Sequence, residues 1–320
     1  MSACRWSQPI AVLVTIPLSS ETLPRLREAG FEPHVAADRA ARRSLIERSG
    51  GAIRAVLTNG TTGLGADEIE ALPALELICA LGAGYEHVDV QAARRRGVAV
   101  ANGPGVNDAT VADHTLMLLL AVARGVVAAD ASARSGAWAS SRESRPTVFG
   151  RRLGIVGLGR IGAQVAQRAA GGFEMEIGYH NRNRLPDAAW TYFDSVVNLA
   201  HWADFLVVAA PGGPATRHLV GAAALTALGP SGFLINVGRG SVVDTAALVD
   251  ALRTRQLAGA ALDVLEGEPE VPPALAALSN VILTPHVAGR SPQAIEATIV
   301  LALANLTAHF SGRPLITPVP

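Results

Sequence analysis

The sequence predicts an α/β protein built from two doubly wound parallel-sheet domains, and three observations predict it. Short apolar runs alternate with amphipathic stretches along most of the chain, the pattern of strands joined by crossover helices. A second such series starts afresh near residue 152, after a long apolar helix. The length, 320 residues, suits about two domains.

In the first series, residues 9–14 are β-rich, 21–29 read as a helix stopped by Gly30, and 52–57 are apolar again. Residues 66–71 are helical, 75–79 form another strand candidate, and the glycine-rich stretch 81–85 follows. Thr110 opens a proline-free stretch to Ser135 that reads as one long helix. Val111, His114, Thr115, Leu118, Leu119 and Val122 recur there at helical spacing, with apolar residues around nearly the whole circumference. Such a helix is expected to be buried on every side, between domains or between subunits. In the second series, 152–156, 175–179, 205–209, 232–237, 258–263 and 281–283 are strand candidates, and 161–170 and 243–252 read as helices. The tail 310–320, with Gly312, Pro314, Pro318 and Pro320, reads as an extended arm.

Composition narrows the chemistry. All 27 basic residues are arginine, which excludes Schiff-base and pyridoxal chemistry and a Walker-A phosphate loop, since each needs a lysine amine. A formal net charge of +0 lacks the basic footprint of a nucleic-acid binder. The one cationic cluster, Arg94, Arg95 and Arg96 beside Gly97, reads as favourable charge at a helix C-terminus. Cys4 and Cys79 match no ligand or redox spacing, and no metal site is expected. The N-terminus has no apolar signal core before its first charges. The longest apolar run, 116–123, is far short of the ~20 residues that span a bilayer. The expectation is a cytoplasmic protein with neither a nucleic-acid nor a membrane partner.

The stretch 152–156 runs into Gly157-Leu158-Gly159-Arg160-Ile161-Gly162 at a helix start. In this context the glycines fit a dinucleotide fingerprint. Gly157 permits the tight turn, Gly159 lets the backbone approach the pyrophosphate, and Gly162 allows close packing of helix on strand. The helix N-terminus then faces the phosphates. After the next strand, where an NAD site usually carries an acidic residue, the chain reads His180-Asn181-Arg182-Asn183-Arg184. Asn181 does not repel a 2′-phosphate and the Arg182 fork can bind one, so NADP(H) is expected over NAD(H).

Three further segments end strand candidates with polar residues: Asn236-Val237-Gly238-Arg239-Gly240, Leu262-Asp263-Val264-Leu265-Glu266-Gly267-Glu268-Pro269 and Leu283-Thr284-Pro285-His286-Val287. Ligands of open α/β sheets bind at these carboxyl ends. In this order, after the glycine loop, the segments resemble the D-isomer-specific 2-hydroxyacid dehydrogenases over nearly the whole chain. Within that family the sequence is most similar to the NADPH-dependent glyoxylate/hydroxypyruvate reductases.

The resemblance implies that His286 gives a proton to the substrate oxygen during reduction, a task that suits a residue titrating near working pH. It implies that Glu268 hydrogen-bonds His286 and fixes its ring, and that Arg239 clamps the carboxylate and carbonyl oxygen of a small 2-keto acid. Asp263 would contact the nicotinamide carboxamide, and Ala210, Pro211 and Thr216 would lie on the adenosine side, with Thr110 near the phosphates. Val237 and Gly238 would complete the dinucleotide contacts. The backbone of Gly82-Ala83-Gly84 would grip the substrate carboxylate, and Trp138 would reach toward a partner subunit's site. His87, His114 and His218 match no catalytic position.

The same resemblance implies a Rossmann cofactor domain, residues 102–288, inserted into a flavodoxin-like substrate domain of residues 1–101 and 289–320. The active site would be the cleft between them, and the protein a homodimer. The alternatives are a phosphite or formate dehydrogenase-like member, with Glu268 counting against formate, and a non-enzymatic dinucleotide-sensing corepressor of the same fold.

Overall fold

The computed structural model describes Trp6 and residues 8–320; residues 1–5 and Ser7, and with them Cys4, lie outside the described residues. Two compact units form, Met1–Asn107 with Ser291–Pro320, and Asp108–Arg290.

In the first unit, β1 (Ile10–Val14), β2 (Phe31–Val35), β3 (Ala55–Asn59), β4 (Leu77–Leu81) and β5 (Ala99–Ala101) make a parallel sheet in the order β2-β1-β3-β4-β5. This is the flavodoxin-like order. Alternate residues feed opposite faces. Val12, Val14 and Leu57 pack with Ala302 and Leu306 of the helix Pro292–Phe310, while Leu13, Val56 and Ile78 enter the core beneath the other face. Covering both faces explains why the strands read as continuous apolar runs. Cys79 is in this core, where burial pushes its thiol up to about 12.

Two strands of this sheet were not among the sequence candidates. β2 contains Pro33, which cannot donate to a ladder; β2 tolerates it as an edge strand paired only with β1. β5 has three residues, too short for an alternation to register. The tail runs along β5, where Val319 N–H donates to the Val100 carbonyl at 2.8 Å and Pro318 bridges Ala101. Arg94 and Arg95 close the helix Val90–Arg95, and Arg96 caps it. The Arg96 guanidinium donates to the carbonyls of Ile69, Leu72 and Pro73, so it fastens a neighbouring turn.

In the second unit, β6 (Arg152–Val156), β7 (Glu176–His180), β8 (Thr191–Tyr192), β9 (Phe205–Val208), β10 (Phe233–Asn236), β11 (Gly259–Leu262) and β12 (Val281–Leu283) form a parallel sheet in the order β12-β11-β10-β9-β6-β7-β8. This is the Rossmann order extended by one strand. Strand order reverses between β6 and β9, and a ligand crevice opens at such a switch point, at the carboxyl ends.

One expectation is corrected. The stretch from Thr110 to Ser135 is not a single helix. Asp108–Arg124 and Val126–Arg134 meet at a 61° bend. Gly125 lies between them at φ +62°, a conformation glycine adopts without steric penalty. The first helix buries Val111, Leu118 and Leu119 but leaves Met117 exposed, and the second buries no residue. No single helix among the described residues is long and apolar enough to cross a membrane.

Candidate active site

The glycine turn joins β6 to the helix Arg160–Phe173. Gly157 has φ +98°, and a Cβ there would stand 2.7 Å from the Ala210 nitrogen, across the switch point at the end of β9. A Cβ on Gly162 would meet the Gly157 carbonyl oxygen at 2.3 Å, whereas one on Gly159 would meet nothing within 4 Å. Two glycines are therefore required by packing, and the third leaves an open approach to the helix N-terminus, whose first N–H groups have no partner within the helix. A bare cradle with free donors fits a dinucleotide pyrophosphate. Arg160 turns its guanidinium to Asp108, 2.7 Å away at the start of the neighbouring helix, two residues before Thr110.

Asn181, directly after β7, hydrogen-bonds the glycine turn. Its Oδ1 accepts the Leu158 N–H at 2.7 Å and its Nδ2 donates to the Leu158 carbonyl at 3.3 Å, bracing the glycine turn. Arg182, Asn183 and Arg184 are exposed, with no carboxylate until Asp187. On the other side of the crevice, Ala210 is buried and Pro211 exposed. The Thr216 hydroxyl folds back onto the Pro211 carbonyl at 2.7 Å.

Arg239 follows β10. Asn236, 1% exposed, shapes that loop by accepting from Gly238 N–H and donating to the Arg239 carbonyl, both at 3.1 Å. Arg239 also donates to the Gly238 carbonyl at 2.7 Å; Val237 and Gly238 beneath it are buried. Gly240 then passes so close to the next loop that a Cβ would fall 1.9 Å from the Leu265 carbonyl carbon. This contact ties the arginine loop to the acidic loop after β11.

On the acidic loop, the Glu268 carboxylate accepts the Leu265 N–H at 2.8 Å and faces His286 Nδ1 at 2.7 Å. Burial alone would raise the Glu268 pKa. The His286 hydrogen bond, the Leu265 N–H and the charges of His286 and Arg239 outweigh it and hold the carboxyl below its ordinary value. An ionised carboxylate only accepts, so Nδ1 must carry a proton. Nε2 of His286 has no partner among the described residues. His286 itself lies at φ +54°, a left-handed conformation rare for a side-chain-bearing residue and found where surrounding structure enforces it.

The Asp263 side chain is 1% exposed and engaged by the chain itself. It accepts from Thr284 Oγ1 at 2.5 Å, Val287 N at 3.0 Å and Ala288 N at 2.9 Å. His114 Nε2 lies 3.1 Å from Thr284 Oγ1 and 3.5 Å from Asp263. Asn236, Thr284 and His114 are bracing residues that received no role from sequence. Their one signal is polarity within or at the end of an apolar element. Gly82, Ala83 and Gly84 belong to the other unit, after β4. Gly82 stands at φ +98° there, and Asn102 holds the Ala83 carbonyl at 2.7 Å. Trp138 is 73% exposed. Among the described residues, no cluster of three or more His, Cys, Asp or Glu is placed to hold a metal ion.

Fold and site together define a dinucleotide-dependent enzyme, with a hydrogen-bonded histidine–carboxylate pair at the carboxyl end of the sheet. Residues 116–288 match the D-isomer specific 2-hydroxyacid dehydrogenase, NAD binding domain, model. The chain is 42% identical to the hydroxyphenylpyruvate reductase of Plectranthus scutellarioides, over 98% of this chain and 99% of that one. It is also 42% identical to a glyoxylate/hydroxypyruvate reductase A of Arabidopsis thaliana, over 86% and 88%. Among solved structures, the NADPH-dependent glyoxylate/hydroxypyruvate reductase of Sinorhizobium meliloti, in complex with NADP and malonate, superposes with TM-score 0.90 at 40% identity, covering 98% of this chain and 97% of that one. The chain belongs to the D-isomer specific 2-hydroxyacid dehydrogenase family.

Proposed function

We propose that the protein reduces small 2-keto acids, glyoxylate and hydroxypyruvate first, to D-2-hydroxy acids with NADPH. The observation that carries this reading is the His286–Glu268 pair, closed at 2.7 Å on Nδ1 with Nε2 left over. The pair stands at the carboxyl end of the sheet that carries the glycine turn. Keto-acid reductases among its relatives support the reading. The bound nicotinamide supplies the hydride. Arg239 holds the carboxylate and polarises the carbonyl with its planar fork, and His286 delivers a proton from Nε2 to the carbonyl oxygen. Glu268, kept ionised, stabilises the imidazolium that must form before delivery. In this reading Asp108–Arg290 binds the dinucleotide and the other unit serves the substrate, with the Gly82-Ala83-Gly84 backbone as a second hold on its carboxylate.

The exposed Arg182 and Arg184, with no acidic residue beside them, support NADPH over NADH. Exposed Val126, Val127 and Trp138 support a homodimer in which a second copy covers this stretch and Trp138 reaches toward that copy's active site. The test is NADPH oxidation across a panel of 2-keto acids. Turnover of glyoxylate and hydroxypyruvate is expected, and no turnover with any member removes the proposal. Repeating the assay with NADH separates the two parts: equal kcat/KM for both cofactors would overturn the role of Arg182 and leave keto-acid reduction standing.

A further inference from the structure

We propose that His114 is a positioning residue that holds the loop carrying His286 in its working conformation. The inference rests on the proposed role of His286. That loop leaves β12 and places His286 at φ +54°, which a residue with a Cβ adopts only when its surroundings impose it. The imposing group is Asp263. Its backbone carbonyl accepts the His286 N–H at 2.9 Å. Its carboxylate accepts the Thr284 hydroxyl, Val287 N–H and Ala288 N–H. One carboxylate thus grips the chain on both sides of the histidine.

Proton counting then assigns His114. A threonine hydroxyl has one proton, and Thr284 directs it to Asp263 Oδ1 at 2.5 Å. The Thr284 oxygen must therefore act as acceptor toward His114 Nε2, 3.1 Å away. His114 is held as the Nε2–H tautomer, and the same N–H points within 3.5 Å of Asp263 Oδ1. The imidazole is the outermost donor of the cluster and 16% exposed. It reaches the site from the helix Asp108–Arg124, which packs against β10, β11 and β12. Removing that donor leaves a nearly buried carboxylate and hydroxyl short of a partner and loosens the turn that aims His286. Small misplacements of a catalytic group cost rate before they cost binding.

The experiment compares the wild-type enzyme with His114→Leu, His114→Gln and His114→Asn, using glyoxylate and NADPH. A glutamine amide reaches the place of Nε2, whereas an asparagine amide falls short of it. Loss of kcat by about 10- to 100-fold is expected in the Leu and Asn variants, with the NADPH dissociation constant within about twofold of wild type. The Gln variant should keep most of the rate. A Leu variant with wild-type kcat overturns the proposal, as does equal impairment of Gln and Asn. If Leu does not fold, the Gln–Asn contrast decides. Should the wild-type enzyme turn over no keto acid, the functional reading has failed, and amide hydrogen exchange decides this inference separately. Val287 and Ala288 should then exchange faster in His114→Asn than in His114→Gln, and equal protection in the two overturns the proposal.

Discussion

The unit Asp108–Arg290 contains two histidine–glutamate pairs that agree in nearly every local measure. His286 meets Glu268 at 2.7 Å, and His218 meets Glu266 at 2.9 Å. The histidine side chains are 36% and 35% exposed, and their φ angles are +54° and +52°. Both carboxyls lie below their ordinary value, with burial opposing the shift and the histidine hydrogen bond the foremost group producing it. The difference is in the second ring nitrogen. His218 turns Nε2 to Glu266 and Nδ1 toward Asp244 at 3.9 Å, and Glu266 also takes Arg217 at 2.9 Å and Thr245 at 3.3 Å. His286 directs only Nδ1 to a carboxylate. A histidine with both nitrogens facing acids fastens two loops together, whereas one with a nitrogen left over can exchange a proton. Distance, exposure and strain do not separate the two pairs; whether a second carboxylate faces the other ring nitrogen does.

Exchanging each histidine is the strongest way to break this comparison. His286→Ala should lower kcat/KM by about 10²- to 10⁴-fold while NADPH titration still shows binding. His218→Ala should stay within about threefold of wild type in the same steady-state assay. Equal losses would mean that the leftover nitrogen is not what distinguishes the pairs.

A smaller effect is expected from Gly240→Ala, because this glycine backs the loop that carries both glutamates. Its Cβ would overlap the Leu265 backbone at 1.9 Å, which no rotamer relieves. Overpacking of this kind costs about 1–3 kcal/mol, read from urea unfolding, and KM for the keto acid should rise as Arg239 shifts. An unchanged midpoint with unchanged KM would show that the two loops move independently.

The smallest effect concerns acid. Glu266 has a depressed folded-state pKa, so it binds protons less readily when folded than when unfolded. Its stabilisation is present above the unfolded value and is lost as pH falls through the folded one. Melting temperature followed from neutral pH to below the ordinary glutamate range should therefore fall less steeply for Glu266→Gln than for wild type. Parallel curves would remove Glu266 from the acid response.

Legibility in the sequence followed the range of the interaction. The glycine turn, the strand cores and the polar strand ends were readable because each is a local pattern. The edge strand β2 was hidden by Pro33, whose cost vanishes only at an edge. The bend at Gly125 was missed because a helical hydrophobic pattern continues across it. Thr284, Asn236 and His114 were passed over because bracing hydrogen bonds leave no period in a sequence. Asp263 was readable as a site residue, but not its hold on Thr284, Val287 and Ala288, more than 20 residues on.

By itself the sequence determined the alternation of strands and helices, the glycine turn, the exclusion of lysine chemistry and the family resemblance that singled out His286, Glu268 and Arg239. Each follows from residue type and near-neighbour spacing. Tertiary structure alone decided which acid meets which histidine. Glu266 and Glu268 are two residues apart on one loop, and only the turn after β11 sends the first to His218 and the second to His286. It also decided which ring nitrogen remains available, because that depends on carboxylates brought in from separate strands and loops.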